Sequence, residues 1–282
     1  MKTDKNNQEN LEEPRFPFGR NWRSFLETID EDRIAEAERS LLKNLDVDTL
    51  EGMRFLDAGC GSGLFSLAAR RLGATVHSFD YDEDSVACTS ILKQRYGSDD
   101  EGWKIEQGSV LDREYLRSLG SFDIVYSWGV LHHTGDMWKA MEYVLLPLAT
   151  SGKLFIALYN DQGLLSRYWL NVKKLYVSGV VGRILVLSVM VPYSAVRAMI
   201  AGLIESGNPL KRFRDYRRNR GMSIMHDWID WIGGYPFEVA KPGDVLKFYR
   251  VHNLILETLI TTNRSGCNQF VFRQTSGGAD TS

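Results

Sequence analysis

Apolar residues return at helical spacing at Ile34, Ala37, Leu41, Leu42 and Leu45, which predicts a helix with one buried face. Residues 54–59 (RFLDAG) then form a short apolar run ending in a turn, the pattern of a strand covered on both faces. Strands and helices alternate from there. The pattern predicts helix 64–72, strand 74–80, helix 84–96, a weaker strand 103–107, a strong strand 122–127, helix 136–148 and strand 153–159 (KLFIALY). The rhythm breaks over 161–238 and resumes with a helix at 243–250 and strands at 254–261 and 267–273. Only TNRSG separates those last strands, so they are expected to form an antiparallel hairpin.

This order predicts an α/β fold: a doubly wound, mostly parallel seven-stranded sheet with a C-terminal antiparallel hairpin and a helical cap insertion. The expected division is a disordered tail at 1–14, N-terminal helices and a Rossmann-like core at 15–160, and a cap at 161–238. A helix and hairpin at 239–273 complete the core, and 274–282 is a second tail. No internal repeat is visible.

Composition adds constraints. The 282 residues are 44% apolar and 25% charged, as in an ordinary globular protein. A net charge of -2 argues against a general attraction to nucleic acid and leaves room for a local basic patch. Cys60, Cys88 and Cys267 are odd in number and far apart, with no CxxC or Cys/His cluster. The pattern indicates neither a disulfide framework nor a zinc site, and it fits a reducing, cytoplasmic setting. The first fourteen residues lack the apolar core of a signal peptide.

The sharpest motif is DAGCGSG, Asp57 to Gly63, between a predicted strand and helix. Glycines let the backbone turn tightly and approach a ligand, and at the carboxyl edge of a parallel sheet such a turn lines the ligand crevice. The next strand ends at Asp80, whose carboxylate can accept from both hydroxyls of a ribose. The dinucleotide pattern G-x-G-x-x-G fails, because it requires glycine at Leu64, or glycine or alanine at Ser66. A tight G-x-G-x-G led by Asp57 suits an adenosyl group with an amino-acid tail and no pyrophosphate.

DAGCGSG, the acidic strand end FDYD and the segment YSWGVLHHTGD resemble the motifs of class I S-adenosylmethionine-dependent methyltransferases, in particular the ubiquinone-biosynthesis O-methyltransferase type. The resemblance covers 54–159 and, by topology, the hairpin. It implies S-adenosylmethionine as cofactor, S-adenosylhomocysteine as product and no metal. It further implies that Gly59, Gly61 and Gly63 pass under the donor, with Asp57 fixing the turn. Asp80 then binds the ribose, Tyr81 packs on the adenine, and Ser109 stands where relatives often carry aspartate. Ser127, Trp128 and Val130 form the floor beside the methionine.

Methyl transfer from a sulfonium is an in-line displacement, so alignment does much of the work, and a hydroxyl acceptor also gains from a general base. His132 and His133 follow the fourth strand, where the methyl should point. His133 is the candidate base, and His132 equally suits a donor contact or a loop support. Tyr159, Asn160 and Asp161 face the same crevice, with helix capping as their plainer role.

Within the insertion, 177–204 is strongly apolar, interrupted by Arg183, Pro192 and Arg197. It is expected to form two packed helices of a lid, its uncharged run being too short for a membrane span. A helix pair lying on a lipid surface is the alternative. Six cations follow within 211–220, read as a solvated helix face or as a site for phosphate, an anionic lipid headgroup or RNA. His226 and Asp230, four apart, share a helix face as the polar centre of an acceptor-pocket wall with Trp228, Trp231, Tyr235 and Phe237, and this pair is the other candidate for the proton chemistry. Those tryptophans equally suit an aromatic anchor for the cap.

The expected function is methylation of a small or medium metabolite at oxygen: a lipid-linked aromatic, a glycan or a natural-product precursor. The partner is then a small-molecule or lipid-linked acceptor, with nucleic acid disfavoured and a weak membrane-surface contact through 177–220, which gives a cytoplasmic or membrane-peripheral location. The alternatives are tRNA modification, or a non-catalytic donor-binding or membrane-associated partner protein.

Overall fold

In the computed structural model the buried strands feed two cores, because successive side chains point to opposite faces. Along β1 (Arg54–Ala58), Leu56 and Ala58 join a cluster with Leu116, Ala140 and Tyr249, whereas Phe55 joins a second cluster with Leu41, Leu67 and Leu92. β5 (Leu148–Tyr159) divides the same way, with Leu154, Ile156 and Leu158 on one side and Phe155 on the other. Strands buried on both faces have no polar side to show, hence the unbroken apolar runs in the sequence. The described residues are 15–16, 18–96, 101–210, 213, 224–262 and 266–275; within helices, the side chains of 20, 21, 23, 24, 226, 227 and 230 are not described.

The remaining strands are β2 (Thr75–Asp80), β3 (Trp103–Gln107), β4 (Phe122–Trp128), β6 (Leu254–Ile260) and β7 (Cys267–Gln274). They form one seven-stranded sheet in the order β3-β2-β1-β4-β5-β7-β6. The first five strands run parallel, and β7 is antiparallel to both β5 and β6. The strand order reverses between β1 and β4, which opens a crevice at their carboxyl ends.

α1 (Gly19–Leu26) packs on α4 (Glu83–Tyr96), and α2 (Glu31–Leu45) on α3 (Leu64–Arg71). Asp30 caps α2 by accepting from the Arg33 amide at 3.0 Å, and Asp46 ends it in the left-handed conformation. α5 (Arg113–Ser118), α6 (Met137–Tyr143) and the last helix, Pro242–Val251, supply the core on the other face. The helix expected over 136–148 stops at Tyr143, and β5 begins at Leu148 rather than at 153, pairing Leu148 with Phe122. β7 also extends into the expected tail: the Thr275 amide donates to the Asn253 carbonyl.

The cap differs from its expected form. α7 (Leu164–Val177) is followed by a single 27-residue helix, α8 (Val180–Ser206), not by two helices broken near Pro192. Pro192 and Ser188, whose carbonyl it leaves without its helical donor, are both exposed, so solvent relieves most of the cost of a helix-interior proline. By length and composition α8 is long and apolar enough to cross a membrane, although Arg183 and Arg197 interrupt it. α9 (Ile224–Gly233) packs on α7 and α8, and α10 is the helix Pro242–Val251. The cations of 211–220 lie outside the described residues, as do 1–14 and 276–282. Phe213 is described, with its ring 6.0 Å edge-on from Trp228.

Candidate active site

The site begins with the glycine turn after β1. Gly59 and Gly61 have φ of 89° and 54°, in the region a side chain disfavours. A Cβ at Gly59 would stand 2.4 Å from Val130, and one at Gly61 would stand 3.0 Å from Trp22. The turn is held from β2: Gly59 and Cys60 amides donate to the Phe79 carbonyl, and the Gly61 amide donates to Asp80 Oδ2 at 2.9 Å. Asp80 Oδ1 accepts from the Asp82 amide, and burial raises the Asp80 carboxyl to about 6. Gly63 also has a positive φ, but it lies against Thr89 at the start of α3 and stays out of the cavity.

Asp57 is buried, and burial lifts its carboxyl to about 7 against the hydrogen bond it accepts from the Ser66 hydroxyl at 2.5 Å. Ser66 in turn accepts from Ser78, and Ser78 accepts from Trp103 Nε1. This chain accounts for serine where the dinucleotide pattern would place glycine or alanine: position 66 supplies a hydroxyl to the carboxyl beneath the turn.

A cavity of about 670 Å³ adjoins the turn, within the range of small-molecule sites. Asp57, Gly59, Gly61, Asp80, Tyr81, Ser109, Trp128, Val130 and His133 all line it. Ser127 and His132 do not. Ser127 faces away, donating to the Ala58 carbonyl to tie β4 to β1, because its neighbours on an alternating strand, Tyr126 and Trp128, take the cavity side. His132 is buried against Tyr159 at 4.0 Å, and burial holds its imidazole well below the ordinary range.

His133 sits in a 3₁₀ turn after β4, its ring 4.8 Å from Phe18. Its Nδ1 is 2.6 Å from the Pro236 carbonyl. A carbonyl can only accept, so Nδ1 carries the proton and Nε2 keeps the lone pair. Burial lowers His133 to about 3, so it is neutral at physiological pH. His226 and Asp230 fall on α9, and their side chains are outside the described residues. From that stretch Tyr235 and Pro236 line the cavity, while Trp231 packs against Trp169 at 4.1 Å, the plainer of its two expected roles. Asp161 accepts from the Gly163 amide, and Asn160 holds the hairpin through Thr262 and Asn268.

Two parts of the cavity had no role in the sequence reading. The segment 15–26 roofs it with Phe16, Phe18, Trp22 and Phe25. Asp82 accepts from the Gly19 amide at 3.0 Å, and Arg15 lies over the Tyr81 ring at 4.9 Å while donating to the Thr134 carbonyl. The visible signal was the density of aromatics between arginines. The second part is Tyr126, a cavity wall residue whose buried hydroxyl has no hydrogen-bond partner among the described residues.

Residues 29–197 match the family model described as "Methyltransferase domain". The chain belongs to this family. Curated relatives of the methyltransferase include the ubiquinone biosynthesis O-methyltransferase of Rhizobium leguminosarum bv. trifolii, 32% identical over 111 residues, which are 39% of this chain and 42% of the relative. That of Parvibaculum lavamentivorans is 32% identical over 120 residues, covering 40% and 43%. The methyltransferase thus spans less than half the length of these relatives. Among solved structures, it resembles magnesium protoporphyrin IX methyltransferase from Synechocystis PCC 6803 with bound S-adenosylhomocysteine. The TM-score is 0.50 at 15% identity, over 90% of this chain and 84% of that one. An O-methyltransferase family protein from Burkholderia thailandensis gives a TM-score of 0.52 at 10% identity, over 86% and 57%. These likenesses show the class I methyltransferase fold.

Proposed function

We propose that the protein is an S-adenosylmethionine-dependent methyltransferase that acts at oxygen on a small or medium metabolite. One observation carries the reading: a single cavity joins the Gly59–Gly61 turn and the Asp80 carboxyl to Trp128, Val130 and His133. We read the turn and Asp80 as the donor's part of this cavity and the His133 lone pair as the acceptor's. The residues fit the donor: Asp80 has acceptor capacity for ribose hydroxyls, Tyr81 and Ser109 border the adenine end, and the unpartnered Tyr126 hydroxyl suits the donor's carboxylate.

When bound, the donor supplies an electrophilic methyl group. In this reading His133 Nε2 takes the acceptor's hydroxyl proton. At a position this buried its basicity is low, so alignment and water exclusion contribute most of the acceleration. The aromatic roof of Phe16, Phe18 and Trp22 supports an apolar or aromatic acceptor, and the curated relatives' name adds weight to a lipid-linked one; a glycan or another natural-product precursor is the alternative.

The test is calorimetric titration with S-adenosylmethionine and S-adenosylhomocysteine, then a donor-consumption screen against metabolite, lipid and tRNA pools. Both adenosyl ligands should bind, and turnover should appear with small acceptors. Donor binding with no turnover on any pool would leave a non-catalytic binding protein. Turnover on tRNA alone would replace the metabolite reading.

A further inference from the structure

α8 is strongly apolar along its length, yet little of it is buried. Its inward stripe, Gly182, Val186, Met190, Ala198 and Gly202, recurs at multiples of four residues; Val186 and Met190 share a cluster with Tyr176, Ile232 and the cavity residue Phe16. On the outer side Val181, Leu185, Val189, Val196, Ile200 and Ile204 are between 49% and 79% exposed. At about 1.5 Å per residue they form a continuous apolar strip roughly 35 Å long. An apolar patch of that extent on a water-facing helix marks a surface that something covers.

Charge selects the occupant. Exposed Arg167, Lys174, Arg183 and Arg197 flank the strip, and the only carboxylate within 164–206 is Glu205. Over 164–206 the sequence carries five cations, all but Lys173 exposed, and one carboxylate, although the whole chain is -2, so the rest of the chain is at -6. A second copy seated on the strip would bring like charges together. An anionic bilayer would pair them, take up the apolar strip and repel the acidic remainder, which sets an orientation. The inward stripe packs on protein, so lipid cannot surround α8, and the helix is placed to lie in the membrane plane.

We propose that the α7–α8 hairpin docks the protein on an anionic lipid surface through the outer face of α8. This rests on the function above only in its consequence: α8 shares an apolar cluster with the cavity residue Phe16, so an amphipathic acceptor would reach the site from the bilayer.

The test is vesicle flotation of the full chain with phosphatidylcholine alone and with added phosphatidylglycerol, at low and high salt, read without donor or acceptor. The protein should float with the anionic vesicles, with binding falling tenfold or more in high salt. The double variant Val189→Glu, Ile200→Glu, both at exposed positions, should lose flotation while keeping the wild-type Tm and donor affinity. Donor affinity and flotation are separate measurements, so failure of the function reading would leave flotation untouched. Absence of flotation, equal flotation with neutral vesicles, or an unaffected double variant would overturn the proposal. Self-association in sedimentation that the double variant abolishes would assign the strip to a second copy instead.

Discussion

At Asp80, two backbone amides already donate to the carboxyl, and burial still lifts it to about 6. Ribose hydroxyls donate to the ionised form, so donor binding should lower this value and release protons. Affinity is therefore expected to rise as pH climbs through about 6 and to level off above it. Calorimetry at pH 5, 6 and 8 in buffers of different ionisation enthalpy checks this. Asp80→Ala should weaken the donor by about 10- to 100-fold, as expected for hydrogen bonds to a charged group, and should abolish the pH dependence. Tyr126→Phe makes an opposed pair of predictions. Removing a buried hydroxyl without a partner should stabilise the free protein by about 1 kcal/mol, yet donor affinity should fall. If urea unfolding shows a loss of stability, the hydroxyl has a partner after all. At His133 the imidazole is neutral above about 3, so it should impose no acid limb on turnover between pH 5 and 8. His133→Ala should cost roughly 10²–10⁴-fold in single-turnover rate with donor affinity nearly intact. A parallel loss of donor affinity would make it a donor contact instead.

Among the elements, α1 owes its role to partners distant in sequence. Its N-terminus docks on Asp82, and Trp22 stands over Gly61. Trp22→Ala should uncover the turn, lowering donor affinity several-fold and speeding donor dissociation in stopped-flow displacement. Stability should change less than for a core tryptophan, which costs about 3–5 kcal/mol, because α1 lies at the rim of the site and Trp22 is only partly buried. Unchanged dissociation would reduce the roof to a structural cover.

For the molecule as a whole, Asp57 links the fold to the site. Its value is raised above the ordinary carboxylate range by burial, so the folded state holds a proton that the unfolded chain has released. The folded state is therefore favoured below about pH 4, and the advantage is lost as pH rises toward about 7, by an amount on the order of a few kcal/mol. Asp57→Asn should flatten that part of the stability–pH curve in urea titrations at pH 5 and 8; an unchanged slope would move the titration elsewhere. The donor turn and the pH response would then share one carboxyl.

Much of this molecule was legible in the chain because its signals are local. Short apolar runs bounded by turns marked the strands, DAGCGSG marked the turn, Asp80 marked the end of β2, and TNRSG marked the hairpin. Local backbone geometry and burial period alone specify these features. The rest depended on groups far apart in sequence. Whether Ser127 or Tyr126 faces the cavity depends on the strand's phase against two cores. His133's tautomer depends on Pro236, more than a hundred residues away. The roof is built from residues before the first core strand, and no spacing rule links Trp22 to Gly61. In α8 the sequence determined that the segment is apolar, and the tertiary structure decided which side stays uncovered. The physical reason is that periodicity reports what each residue prefers, whereas only packing decides which preferences are met by the protein and which are left for solvent, ligand or lipid.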